Sequence, residues 1–130
     1  MILLDTHIWI WWVNLNNKLS SAQKEIVLKH ESEEIGISII SCWEVARLVE
    51  YKRLEFACSI KEWIQIALDY PGVTLLNLTP DIVIESSQLP SDFHKDPADQ
   101  MIAATARILQ CILVTADKKI INYEYITTVK

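Results

Sequence analysis

The chain has two glycines in 130 residues, Gly36 and Gly72. Phosphate-cradling loops of the P-loop or dinucleotide type need several glycines within a few residues, because the backbone itself must approach the phosphates. Neither loop can be built here. Cysteine is equally sparse: Cys42, Cys58 and Cys111 are odd in number and far apart, no Cys-x-x-Cys occurs, and His7, His30 and His94 complete no zinc pattern with them. Three buried, reduced thiols in a cytoplasmic protein are the expectation. Long apolar runs are missing too. The longest, Ile8 to Val13, falls far short of the ~20 residues a membrane span requires. Asp5 and His7 interrupt the apolar N-terminus and no basic stretch precedes it, so no targeting segment is expected. Positive charge is also scarce, with 12 Lys and Arg against 17 Asp and Glu and a net charge of −5, the opposite of a protein that coats nucleic acid.

What remains is a chain with a 51% hydrophobic share, too apolar for a disordered tail and long enough for one well-filled core, so residues 1–130 are expected to form a single domain. Short β-like runs alternate with helical ones. Met1 to Leu4 reads as a buried strand and Thr6 to Val13 as a helix apolar nearly all round. Ser20 or Ser21 caps a helix to about His30 with Ala22, Ile26 and Leu28 apolar. Ile35 to Ile40 is β-branched and strand-like, and Ser41 opens a helix to about Arg53 with Val45, Leu48 and Val49 inward. Ser59 opens another to about Tyr70 with Trp63, Ile66 and Ala67 inward. After the Pro71-Gly72 turn come a strand over Val73–Leu78, a helix from Pro80 to about Leu89, and a helix from Pro97 to about Leu109 behind Asp96. A strand over Cys111–Thr115 and an edge strand over Tyr125–Val129 complete the pattern. This alternation predicts an α/β fold around a mainly parallel sheet.

Four acids occupy related places in that pattern. Asp5 ends the first strand, Glu44 lies in the first turn of the helix after the second, Asp99 lies in the first turn of the helix from Pro97, and Asp117 follows the Cys111–Thr115 strand. Crossover helices in a parallel sheet begin near the carboxyl edge of the strands, where ligands bind in open α/β folds. Four carboxylates there repel unless a cation sits among them, and hard divalent ions with oxygen ligands suit the set. Each acid also has a plainer use. Ser41-x-x-Glu44 reads as a capping box, as does Ser59-x-x-Glu62; Asp96 reads as an N-cap, Asp99 as a complement to its helix dipole, and Asp117 as the cap of the Lys118–Ile121 turn. Asp5 resists such a reading, because a carboxylate ending a buried strand costs several kcal/mol unless paired or metal-bound.

Met1-Ile2-Leu3-Leu4-Asp5-Thr6-His7 resembles the N-terminal motif of PIN-domain proteins. Ile40-Ser41-Cys42-Trp43-Glu44-Val45 resembles their second acidic motif, the run from His94 through Asp96-Pro97-Ala98-Asp99 to Ala104 the third, and Leu113-Val114-Thr115-Ala116-Asp117 the fourth. The order and spacing run the length of the chain, and the group most similar is the VapC-like toxins of type II toxin–antitoxin modules. The resemblance implies a three-layer fold with a five-strand parallel sheet of order 3-2-1-4-5, and Mg²⁺- or Mn²⁺-dependent hydrolysis of RNA phosphodiesters. It carries over Asp5, Glu44, Asp99 and Asp117 as the catalytic, metal-holding quartet, with Asp96 as a further candidate ligand. Thr6 and Thr115 match hydroxyl residues that orient the carboxylates. It further implies a homodimer and an antitoxin protein laid across the acidic site. One position departs: many relatives carry Arg where this chain has Gln100, which removes a bidentate partner for a carboxylate or phosphate.

His7 and His94 stand near the motifs and read as structural hydrogen-bonding residues. Arg47, Lys52, Arg53, Lys118 and Lys119 lie near the motif-bearing ends or on the Glu44 helix, each equally readable as solvated surface. In Trp9, Trp11 and Trp12 the rings point around the whole helix, more than a small domain can cover, which points to an interface. Three other acidic-site readings fit less well, the receiver-type domain being the runner-up by fold. A receiver-type phospho-acceptor needs paired acids at the first strand end, an aspartyl-phosphate phosphatase needs Asp-x-Asp where His7 stands, and an RNase H-like nuclease begins with a hairpin that Thr6–Val13 does not resemble. A catalytically inert PIN-like interaction module is the remaining alternative. With the quartet set aside, thirteen acids face twelve bases and the balance is −1, so most of the excess charge belongs to one site.

Overall fold

A computed structural model describes residues 1–129. The element order is β1 (Ile2–Leu4), α1 (Thr6–Val13), α2 (Ser21–His30), β2 (Ile35–Ser38), α3 (Ile39–Glu50), α4 (Ile60–Leu68), β3 (Val73–Leu76), α5 (Pro80–Ser86), α6 (Pro97–Leu109), β4 (Ile112–Val114), α7 (Lys118–Ile121) and β5 (Thr128–Val129). All strand pairs are parallel and the sheet order is β3-β2-β1-β4-β5. This is the order the PIN resemblance implies. A receiver-type domain has the order 2-1-3-4-5, so the topology removes that alternative.

The continuous apolar strands reflect burial on both faces, as parallel sheets require. Ile2 and Leu4 point into one cluster with Ile8, Trp9, Val45 and Trp63. Leu3, between them, points into another with Ile102, Ala106, Leu113 and Ile120. Helices therefore cover both sides, and the sheet lies between two apolar layers. The pairing Leu4↔Val114 sets the register that matters for the site: one residue further along, Asp5 lies beside Thr115. Between β1 and β4 the strand order also changes direction, and in such sheets a crevice opens at the carboxyl ends of the two strands.

Several boundaries and faces differ from the sequence reading. The second strand stops at Ser38, which caps α3 through a bond from the Ile40 N–H to its Oγ at 3.2 Å. Ser41 is therefore inside the helix, buried, and makes no capping box with Glu44. The β-branched pair Ile39-Ile40 favours strand locally, but the β2–α3 connection has no loop and the chain turns directly into the helix. A capping box does form on α2, between Ser20 and Gln23, and Ser59 caps α4. On α2 the inward residues are Gln23 and Val27, four apart, while Leu28 is exposed. Ile66 is likewise exposed on α4. The strands over 73–76 and 128–129 are confined to the positions that pair with β2 and β4, and the helix over 80–86 ends at its C-cap Ser87.

The tight turn at Pro71-Gly72 is as read: Gly72 has φ 83° and a Cβ there would lie 2.4 Å from the Glu31 carbonyl oxygen. Trp9 is wholly buried against the Trp63 ring at 5.0 Å, whereas Trp11 and Trp12 are half-buried. Of the three free cysteines only Cys111 is buried; Cys42 and Cys58 are partly so. No helix among the described residues is long and apolar enough to cross a membrane.

Candidate active site

Asp5 serves as the N-cap of α1 and is nonetheless 6% exposed. Its Oδ1 accepts from the Thr6 N–H at 2.8 Å and its Oδ2 from the Thr115 hydroxyl at 2.7 Å. The Asp117 N–H donates to that same Thr115 oxygen at 3.1 Å, so the hydroxyl proton is left for Asp5. Thr6 makes the matching connection across to α3. Its Oγ1 donates to Glu44 Oε1 at 2.5 Å and lies 2.8 Å from Ser41 Oγ. A single hydroxyl proton serves one acceptor, and the carboxylate is the stronger, which leaves Ser41 to donate to Thr6. Strand ends and the helix that follows thus aim two carboxylates through two buried threonines.

Asp99 arrives from α6. Asp96 caps that helix by accepting from the Asp99 N–H at 3.1 Å, and His94 Nε2 donates to Asp99 Oδ2 at 2.7 Å. Asp117 caps α7 through the Lys119 N–H at 2.9 Å. Ligand-capable atoms of Asp5, Glu44 and Asp99 lie within 4.8 Å of one another, as do those of His94, Asp99 and Asp117. Asp99 belongs to both sets. The four predicted acids and Asp96 all line one cavity of about 380 Å³, with His7 and Trp11 on its wall.

The electrostatics show a site under tension. Burial raises the pKa of Asp5, with the Thr115 and Thr6 bonds opposing it and Asp117 adding to it. Burial also pushes Glu44 up to about 7, against the Thr6 bond and with help from Asp5, Asp99 and Asp96. Asp99 is raised by burial first, with the His94 bond holding it down and Asp5 and Asp96 pushing it up. Among the described residues no Lys or Arg pairs with any of these acids; the ion pairs elsewhere are Arg47–Glu50, Arg107–Glu85 and His30–Glu33. Converging carboxylates with no basic partner either hold protons or hold a cation, and an all-oxygen donor set of this kind fits a hard divalent ion.

The structure brings Asp5, Glu44 and Asp99 together as the spacing predicts, and groups Asp117 with Asp99 and His94, near enough to Asp5 to raise its pKa. Glu44 sits in the second turn of α3, not the first. Asp96 and Asp117 do perform the capping roles that the sequence allows, while also facing the cavity. Three contributors take roles that the sequence pattern does not predict. Ser41 is no cap but is buried in the Thr6–Glu44 network. Trp11 lines the acidic cavity. Gln100, in place of an Arg, donates from Nε2 to the His94 carbonyl at 3.2 Å and braces the segment that carries His94. His94 makes a side-chain hydrogen bond to Asp99 and also offers a ring nitrogen to the cluster it forms with Asp99 and Asp117. Its place five residues before Asp99, across a helix start capped by Asp96 with Pro97 at the first position, is the available signal.

This topology, with acids converging at the β1/β4 crevice, is the one that the PIN resemblance implies. The PIN domain family model matches residues 2–124, and the chain belongs to the PIN domain family. It is similar to Ribonuclease VapC22 of Mycobacterium tuberculosis, 32% identical over 124 residues that cover 95% of this chain and 92% of the relative. Among solved structures, it resembles a chain of VapBC2 from Rickettsia felis bound to a promoter DNA fragment, with a TM-score of 0.71, 18% identity, and coverage of 99% of this chain and 98% of that one. It also resembles a chain of a toxin–antitoxin complex from Klebsiella pneumoniae, with a TM-score of 0.70, 21% identity, and coverage of 100% and 97%.

Proposed function

We propose that residues 1–130 form one PIN domain that hydrolyses RNA phosphodiester bonds with a divalent cation, Mg²⁺ or Mn²⁺, and that acts as the toxin of a toxin–antitoxin pair. The observation that carries this reading is the convergence of Asp5, Glu44 and Asp99 within 4.8 Å, with no Lys or Arg among the described residues to neutralise them. The similarity to a protein named as a ribonuclease supports the substrate class, and the likeness to a toxin–antitoxin complex supports the biological role.

Asp5, Glu44 and Asp99 would hold the cation, with Asp117 completing the set beside Asp99 and Asp96 at the rim as a further ligand. A divalent ion bound there lowers the pKa of water and offsets negative charge developing at phosphorus. The chain's own contribution is placement. Thr115 fixes the rotamer of Asp5, Thr6 fixes that of Glu44, and His94 holds Asp99, so that each carboxylate presents its oxygen without reorganisation when substrate arrives. A cytoplasmic location, a homodimer and an antitoxin that covers the acidic cavity belong to the same proposal; exposed Val83, Ile84, Ile108 and Leu109 on α5 and α6 supply apolar surface for such contacts.

The test is cleavage of single-stranded RNA by the purified chain in Mg²⁺, in Mn²⁺ and in chelator. Cleavage is expected only with a divalent ion, and Asp5→Asn should reduce it by at least about a hundredfold. Unchanged cleavage by Asp5→Asn sinks the mechanism. No cleavage in either ion by a folded protein makes the chain an inert PIN-like interaction module.

A further inference from the structure

A second cavity, of about 270 Å³, adjoins the acidic one. His7 and Trp11 line both, so the two lie side by side along α1 and are together called the trough. The character of the trough reverses along its length. One end holds the carboxylates; the other holds Lys18, Arg53 and Asn14. In a chain of net charge −5, these cations make no ion pair with any acid among the described residues. Trp11 differs from its neighbours in the same way. Trp9 packs on Trp63 at 5.0 Å and Trp12 on Tyr70 at 5.2 Å, whereas Trp11 meets His7 at 6.1 Å and has the Lys18 ammonium 6.0 Å from its ring centre. Asn14 Oδ1 accepts from Trp63 Nε1 at 3.0 Å, which fixes the amide orientation and leaves its NH₂ group without a partner among the described residues.

An aromatic face, two free cations and an amide donor, set next to a cluster of carboxylates, match the repeating unit of a single nucleic-acid strand: a planar base and a phosphate in alternation. We propose that this trough seats the nucleotide adjoining the scissile phosphodiester, with its base against Trp11 and its phosphate between Lys18 and Arg53. The proposal rests on the ribonuclease reading and adds the substrate subsite to it. The reversal of charge is what a strand crossing the site needs. Its reacting phosphate is neutralised at the carboxylates by the bound ion, and the next phosphate has no ion and needs side-chain cations. An acidic peptide would satisfy Lys18 and Arg53 but would offer no planar face to Trp11 and would bring its charge against the acids. Only an unpaired base can lie flat against Trp11, so single-stranded RNA is the substrate this subsite fits.

The experiment uses the full chain and a fluorescein-labelled, unstructured oligoribonucleotide of mixed sequence. Anisotropy reads binding in chelator, and cleavage of the same oligonucleotide in Mn²⁺ reads kcat and KM. Lys18 and Arg53 are exposed, so K18Q/R53Q should fold. It is expected to weaken binding roughly tenfold or more and to lower the slope of log K against log salt by about 1.4, two phosphate contacts on a single strand. KM should rise in step while kcat changes little. Trp11→Leu should weaken binding by at least about fivefold without changing the salt slope, and K18R/R53K should restore both constants. Wild-type Kd, KM and salt slope in K18Q/R53Q overturn the subsite and leave the ribonuclease reading standing. Binding that depends on Lys18 and Arg53 without cleavage in any divalent ion keeps the trough as a strand-binding site and removes the ribonuclease reading, and with it the placement beside a scissile bond. No binding and no cleavage by the wild type overturns both. A changed molar mass by light scattering in K18Q/R53Q, with RNA binding intact, makes the trough a contact between copies of the chain and overturns the proposal.

Discussion

Glu44 offers the sharpest test of the idea that this site stores unfavourable charge for a cation. Its carboxyl is pushed up to about 7 from an ordinary 4.5, by burial first and then by Asp5, Asp99 and Asp96. The folded protein therefore keeps a proton that the unfolded chain releases. The sign is fixed by that order: the group's contribution to stability is complete below pH 4.5 and is lost as pH rises through 7. Undiluted, the shift corresponds to about 3 kcal/mol. Glu44 is only half-buried and water screens it, so about 1–2 kcal/mol is the expected penalty above neutrality. Glu44→Gln keeps the length and the oxygen that accepts from Thr6 while removing the charge. In chelator at pH 8 it should melt roughly 4–7 °C above the wild type, and the advantage should shrink as pH falls toward 4.5. Adding Mn²⁺ should reverse the ranking, because the wild type gains stability by binding and the variant gains little. At subsaturating Mn²⁺ wild-type cleavage should rise with pH, because protons compete with the ion for Glu44. Differential scanning fluorimetry with and without Mn²⁺ decides the matter. A variant that melts below the wild type in chelator at pH 8, or that gains as much from Mn²⁺, refutes the reasoning.

Two further changes probe the supports around the site. His94→Ala removes the donor 2.7 Å from Asp99 Oδ2, leaving burial and the neighbouring acids to push the Asp99 pKa higher still; Mn²⁺ affinity by calorimetry should fall roughly tenfold, and an unchanged affinity would dismiss His94 as a support. Gln110 ends α6 in the left-handed region at φ 51°, so Gln110→Gly should stabilise the chain by about 1 kcal/mol in a urea melt; a loss of stability would show that the Gln110 side chain contributes more than its backbone strain costs.

Much of this molecule is legible along the chain. The continuous apolar runs, the caps at Ser20, Ser59 and Asp96, and the Pro71-Gly72 turn are short-range matters of burial, hydrogen bonding and backbone freedom, and they set the alternation of strand and helix. The alternation in turn puts the acids at one edge. Where local preference and packing disagree, the chain alone misleads: Ile39-Ile40 has strand chemistry and lies in a helix, because β2 passes into α3 with no intervening loop. Tertiary structure alone decided which groups meet. The pairing of Leu4 with Val114 puts Thr115 on Asp5 across 110 positions of sequence, and the packing of α1 on α3 puts Thr6 on Glu44. It divided the quartet into two overlapping clusters sharing Asp99, and it gathered His7, Trp11, Lys18 and Arg53 into one trough. None of these contacts has a local signature, because each depends on register and helix packing, which are properties of the assembled core and not of any segment within it.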